Sequence, residues 1–260
     1  MRDTSDRLDC HGQPACPRQN SLLAALPDED YQRLAPYLQG VDLEAGQVLG
    51  AQSSRIPYVY FPVSALLSLH YVQEDGSGPE IASIGHEGVF GVSLLTSDAG
   101  IAGQAQVQIA GRAYRGAAEH VSREFARGTL FQRLVLRHVQ TLFMQVAQTA
   151  TCNRSHSVQQ RLCRCLLGML ERGPVEELVA THERLADILG VRRESITAIA
   201  GLLQAEGAIR YRRGRICVLA PRELELRSCG CRSVLKQLYE RSLNMQGLLP
   251  RSGALRLASV

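Results

Sequence analysis

The chain has 260 residues, 45% hydrophobic and 21% charged, which is enough for two domains with separate cores and excludes a chain too polar to fold. Its +4 charge is uneven: residues 153–260 carry 18 Arg and Lys against 10 Asp and Glu (+8), and residues 1–152 carry 11 against 15 (−4). No apolar run approaches a membrane span, and the polar start MRDTSDRLDCHGQPACPRQN lacks the apolar stretch of a secretion signal, so a cytoplasmic protein with reduced thiols and no membrane partner is expected.

Residues 1–19 read as disordered, since Gly12, Pro14 and Pro17 interrupt any pattern around Cys10, His11 and Cys16. Helical periodicity follows over 22–38, with Pro27-Asp28 as a helix start. Short apolar-alternating runs at 41–49, 58–61, 65–72, 80–84, 104–110 and 112–115, each bounded by turn residues, predict a jelly-roll or small barrel over 20–117. Between two of these strands, Gly85-His86-Glu87-Gly88-Val89-Phe90-Gly91 places three glycines in seven residues. Such a run either makes turns or brings backbone amides close to a ligand. Turn-making is the favoured reading, with Glu87 a solvated turn carboxylate; Glu87 and Gly88 are nonetheless the candidate effector contacts should an unidentified small molecule bind here.

From Glu119 the pattern becomes one long helix running to Asn153. Phe131, Val135, Val139, Leu142, Val146 and Ala150 form an apolar stripe spaced 4, 4, 3, 4 and 4. The stripe must be buried, either on the chain's own β-domain or against a second copy. A helix between two domains suits a two-fold seam, so 118–156 is read as a connector and dimerisation helix. Cys152 and His156 are four apart on one helix face, which permits a metal or redox site as well as a buried structural thiol. Cys163 and Cys165 point about 200° apart on a helix and cannot chelate together. Cys229-Gly230-Cys231 lies further on. Two cysteines cannot saturate zinc, so no metal and no cofactor is assigned from sequence, and a redox or metal response through Cys152 and His156 or Cys229 and Cys231 stays an alternative.

Residues 181–204, THERLADILGVRRESITAIAGLLQ, read as two amphipathic helices broken at Gly190, a helix-turn-helix. Thr181 can cap the first helix; Leu185, Ile188 and Leu189 form its buried face. Val191, Ile196, Ile199, Leu202 and Leu203 form the inward stripe of the second. That leaves Arg193, Glu194, Thr197 and Ala198 outward near its start, beside Arg192 and Ser195. Arginine can bind guanine O6 and N7, glutamate can accept from cytosine N4, and the first-turn amides favour a phosphate. Residues 207–219, GAIRYRRGRICVL, add a hairpin turning at Arg213-Gly214, so that Arg210, Arg212, Arg213 and Arg215 can lie along a phosphate backbone. A winged helix over 157–243 with a flexible tail over 244–260 follows, and the +8 charge of this half is the footprint of a DNA-binding module.

This order of elements, with Gly190-Val191-Arg192-Arg193-Glu194-Ser195, resembles the Crp/Fnr family of bacterial transcription regulators over about 22–243, most specifically over 185–216. It also looks like a branch marked by Tyr60-Phe61-Pro62, Glu87-Gly88, Thr151-Cys152-Asn153-Arg154-Ser155-His156, Leu224-Glu225 and Ser228-Cys229-Gly230-Cys231. The resemblance implies an α+β chain with a cyclic-nucleotide-binding-like jelly-roll, a dimerisation helix and a winged helix-turn-helix. It implies a homodimer on a palindromic operator, with RNA polymerase as a further partner. Arg193 and Glu194 match the family's base readers and Ser195 a backbone contact, while its next base-reading arginine falls on Ala198. The family's arginine for a cyclic phosphate falls in Gly103-Gln104-Ala105, which has no cation, so cyclic AMP in the usual mode is not expected. Cys10 and Cys16 are too few for the family's four-cysteine iron–sulfur cluster. Catalysis is not expected either: the seven histidines are scattered, and none joins a nucleophile at a recognisable spacing.

Overall fold

The computed structural model describes residues 16–51, 56–71, 78–96, 103–172 and 177–243; Cys10, most of the 1–19 segment and the 244–260 tail lie outside them. The helical stretch expected over 22–38 is two helices, α1 (Ser21–Ala24) and α2 (Asp28–Leu34), separated at Pro27, which caps α2. Asn20 is fully buried here. Its side chain accepts from the Leu22 and Leu23 amides and donates to the Pro62 and Gly88 carbonyls, tying the chain start to the glycine-rich turn.

Seven strands follow: β1 (Leu38–Leu43), β2 (Val48–Gly50), β3 (Tyr58–Pro62), β4 (Leu66–His70), β5 (Glu80–Ile84), β6 (Gln104–Ile109) and β7 (Gly111–Ala117), with the short helix α3 (Ser93–Thr96) between β5 and β6. They form two antiparallel sheets, β1-β7-β3 and β2-β6-β4-β5, facing each other as a β-roll. The strand expected over 41–49 is divided by a turn at Gly46, whose φ of +89° suits glycine. Leu43, Leu67, Ile84, Val107 and Ala113 fill the space between the sheets.

The single helix expected from Glu119 is also two, α4 (Ala118–Phe125) and α5 (Leu130–Ser155), because Gly128 takes a left-handed φ of +70° and ends the first. Phe131 and Val135, expected on an intersubunit seam, are instead completely buried in the chain's own core with Leu22, Leu23, Val59 and Phe61. The expected stripe averages 3.8 residues per step, slower than the 3.6-residue turn, so it drifts around the helix and leaves the roll halfway along. Leu142 is half-buried against the roll. What faces outward is Leu136, Val139, Phe143, Val146 and Ala150, spaced 3, 4, 3 and 4.

The C-terminal part contains α6 (Val158–Arg172), β8 (Glu177–Val179), α7 (His182–Leu189), α8 (Arg193–Ala205), β9 (Ile209–Arg212), β10 (Arg215–Val218), α9 (Pro221–Arg227) and α10 (Cys231–Leu243). The order β8-β10-β9 makes a small three-stranded sheet, one strand more than the expected hairpin. Leu162, Leu166, Leu185, Ile196, Leu203 and Ile216 are its buried centre, and Leu66 of β4 lies in the same cluster. The last helix, α10, returns to lie along α5. The whole is an α+β chain: a β-roll, a long helix and a winged helix-turn-helix. Among the described residues no helix is long and apolar enough to cross a membrane.

Candidate nucleic-acid interface

The helix-turn-helix is built by local chemistry. Thr181 Oγ1 accepts from the Arg184 amide at 3.2 Å, capping α7, and Gly190 ends it in the left-handed conformation at φ +61° and ψ +45°. The buried Arg161 of α6 donates to the Leu189 carbonyl, satisfying the other end of that helix. Arg192 is the N-cap of α8, so Arg193 and Glu194 occupy its first turn. Arg192, Arg193, Glu194, Thr197 and Ala198 are exposed and Ser195 is half-exposed, while Ile196, Ala200 and Leu203 point inward. Leu202, expected inward, is 47% exposed, one position around the helix from Leu203. Sequence reasoning missed His182: its Nδ1 lies 3.0 Å from Thr197 Oγ1, and its ring stacks on Tyr211 of β9 at 4.0 Å. Burial, aided by the Arg193 charge, lowers the His182 pKa.

The wing turns where expected. Arg213 and Gly214 both take positive φ, +50° and +76°, the pair needed for a tight two-residue hairpin. Arg210, Arg212, Arg213 and Arg215 are exposed around it, Arg215 being paired with Glu177 of β8 at 3.1 Å. The Gly214 carbonyl accepts from the Ala180 amide at 2.9 Å, so the wing turn sits beside the Thr181 cap. Four exposed arginines and the open first turn of α8 thus flank the same helix pair. Chemically this surface offers a phosphate track beside a helix end able to contact base edges.

Glu87 is not the solvated turn carboxylate expected from the sequence. It is 5% exposed, and its Oε1 accepts from the Gly85 amide at 3.1 Å and lies 3.3 Å from Nη1 of Arg172, the last residue of α6. The same nitrogen reaches the Ser83 carbonyl and the Tyr239 hydroxyl of α10, each at 3.3 Å. Arg172 therefore joins the roll to the C-terminal part, 85 residues from Glu87. Burial opposes its charge, but Tyr239, Glu87 and Glu80 more than offset this and its pKa is raised. Gly88 has a packing reason to be glycine: a Cβ there would stand 2.2 Å from the His138 ring of α5. A cavity of about 370 Å³ lies around Glu87, Arg172, Arg164, Gln145 and Tyr239, a volume in the range of small-molecule sites. Gln104, by contrast, lines a separate cavity of about 210 Å³ with His70, Phe90 and Leu142. Glu87 and Gln104 thus open into different cavities, and among the described residues no arginine or lysine lines the second.

A helix-turn-helix with an arginine-bearing wing, carried on a β-roll by a long helix, is the architecture of a DNA-binding module joined to a second domain. Residues 160–227 match the Crp-like helix-turn-helix domain. Among solved structures, a transcriptional regulator of the Crp/Fnr family from Eubacterium rectale is 18% identical with a TM-score of 0.64, covering 79% of this chain and 96% of its own. FixK2 from Bradyrhizobium japonicum is 14% identical with a TM-score of 0.63, covering 74% and 98%. A CRP/FNR-family regulator from Thermus thermophilus is 22% identical with a TM-score of 0.58, covering 73% and 98%. Among curated proteins, none matches the chain significantly. Residues 160–227 thus carry a Crp-like helix-turn-helix domain, and the chain as a whole has the fold of these solved regulators.

Proposed function

We propose that the protein acts as a homodimer that reads a palindromic operator with the first turns of its two α8 helices. The observation that carries this is the exposed Arg193 and Glu194 pair at the start of α8, flanked by the arginines of the wing. Selection of DNA from a random pool, followed by anisotropy titrations, tests it. Arg193→Ala or Glu194→Ala is expected to weaken the selected site by about tenfold, the value of one good base contact, while leaving random DNA nearly unchanged. Equal losses on both DNAs would show that these side chains touch only phosphate.

Support for the dimer is the outward face of α5. Leu136, Val139, Phe143, Val146 and Ala150 follow the alternating 3 and 4 spacing of a heptad, and Phe143 is 70% exposed. A second copy presenting the same face would bury it about a two-fold axis, placing two recognition helices on successive turns of DNA. Light scattering at micromolar concentration is expected to give a dimer for the natural chain and a monomer for Phe143→Glu, since two carboxylates would meet in the seam. A dimer that persists in Phe143→Glu would move the interface elsewhere. Cytoplasmic location and contact with RNA polymerase follow from the same role. Cyclic AMP in the usual mode is not part of the proposal, because Gly103-Gln104-Ala105 supplies no cation for its phosphate.

A further inference from the structure

Two pairs of residues kept apart by the sequence are brought together at the far end of α5. Cys152 lies in its last turn, and His156 is the residue at which the helix stops, with φ −120° and ψ +146°. The His156 amide still donates to the Cys152 carbonyl at 3.1 Å, which holds the ring beside the thiol. Cys229 precedes α10 and Cys231 opens it. Cys152 Sγ is 3.5 Å from Cys229 Sγ, and Cys231 Sγ is 3.6 Å from His156 Nδ1. All four donor atoms lie within 4.8 Å of one another. The three cysteines are buried and form a cluster of their own, separate from the apolar cores.

We propose that Cys152, His156, Cys229 and Cys231 form a closed tetrahedral zinc site that fastens α10 to the end of α5. With zinc–sulfur bonds of about 2.3 Å and zinc–nitrogen bonds of about 2.0 to 2.1 Å, a tetrahedron has edges of about 3.8 Å between sulfurs and about 3.6 Å between sulfur and nitrogen. The 3.5 and 3.6 Å separations fit those edges. A disulfide between Cys152 and Cys229 would need the sulfurs at about 2.0 Å and would leave Cys231 and His156 without a role. Three soft sulfurs and an imidazole, with no oxygen donor, select zinc over magnesium or calcium. Donors that converge on one point suit a single ion; an iron–sulfur cluster would hold them farther apart.

The surroundings suit the charge. Three thiolates around a divalent ion leave one net negative charge, and the Arg161 and Arg164 guanidinium groups both act on Cys152. Gln148 Nε2 donates to Cys231 Sγ at 2.9 Å, the kind of outer hydrogen bond that orients a metal ligand. Two of the ligands bracket the point where α5 ends, and α6 begins two residues after His156, at Val158. The ion would therefore set the joint between the seam helix and the DNA-binding part. This inference does not depend on the operator or on the dimer.

The test uses the full chain purified under reducing conditions from zinc-supplemented cells. Elemental analysis by mass spectrometry is expected to give about one zinc per chain. Cys229→Ser and Cys231→Ser should fall to the reagent blank, whereas Cys163→Ser and Cys217→Ser keep the ion. Because a ligand variant can fail to fold, the natural chain is also stripped with chelator, checked by circular dichroism and titrated with Co2+. One equivalent should develop the intense visible bands of tetrahedral cobalt with thiolate ligands, and zinc should abolish them. A folded, metal-free chain that gives no such bands would overturn the site. So would a Cys152–Cys229 disulfide found by mass spectrometry in protein never exposed to oxidant.

Discussion

Replacing Arg172 by methionine is expected to destabilise the folded chain by about 3 kcal/mol, and adding Glu87→Gln should recover much of that loss. The reason is asymmetry. Methionine keeps the apolar stem of Arg172 but removes the cation 3.3 Å from Glu87 Oε1. Glu87 is then a buried carboxylate with the Gly85 amide on one oxygen and, facing the other, only His86 Nδ1 at 3.8 Å, too far for a hydrogen bond. Leaving one member of a buried pair uncompensated costs more than removing both. Urea denaturation at pH 7 of the natural chain, Arg172→Met, Glu87→Gln and the double variant gives the coupling directly. Additive losses in the double variant would show that the pair contributes no mutual stabilisation.

A second large effect is expected from pH. His138 of α5 is buried against Gly88, with Nε2 3.0 Å from the Val89 carbonyl oxygen and 3.3 Å from the Val89 amide nitrogen. Burial lowers its pKa to about 4, against the partial opposition of the Glu87 charge and the Val89 bond. Between its unfolded value of 6.5 and about 4, the unfolded chain binds a proton that the folded chain does not, so stability rises with pH in that window. The loss on going from pH 7 to pH 5 is about 2 kcal/mol from this group alone. His138→Gln retains a polar group that does not titrate and should flatten that part of the profile. Stability curves of equal slope for the two chains would mean that His138 is not the group responsible.

Both predictions rest on contacts that span the chain, and this is where the sequence was least legible. Thr181, Gly190 and the stripe ending at Leu203 revealed the helix-turn-helix because capping, a left-handed turn and a 3.6-residue period are all local signals. Arg213-Gly214 revealed the wing turn for the same reason. Glu87 and Arg172 are separated by 85 residues, and Cys152 and Cys229 by 77; no period or spacing links residues that meet only when α6 and α10 fold back. Leu202 and Phe131 show a different limit. Periodicity finds an apolar face but does not say whether the chain itself or a second copy covers it, and a stripe that drifts can serve both. The three-residue strand β8 carries no pattern long enough to read.

Leu66 and Ile109 of the β-roll pack into the same apolar cluster as Leu185 and Ile196 of the helix-turn-helix, and Arg184 of α7 donates to the Val107 carbonyl of β6. The DNA reader is thus not suspended from the roll; it packs on the face of the sheet opposite the roll's own core. Any second arrangement of the two parts must replace those contacts with others of similar free energy, because a ligand shifts the balance only by its difference in affinity for the two states. The exchange runs in both directions. If a ligand of the roll changed the affinity for DNA by some factor, DNA would have to change the affinity for that ligand by the same factor, so bound DNA would act on the roll as a ligand does.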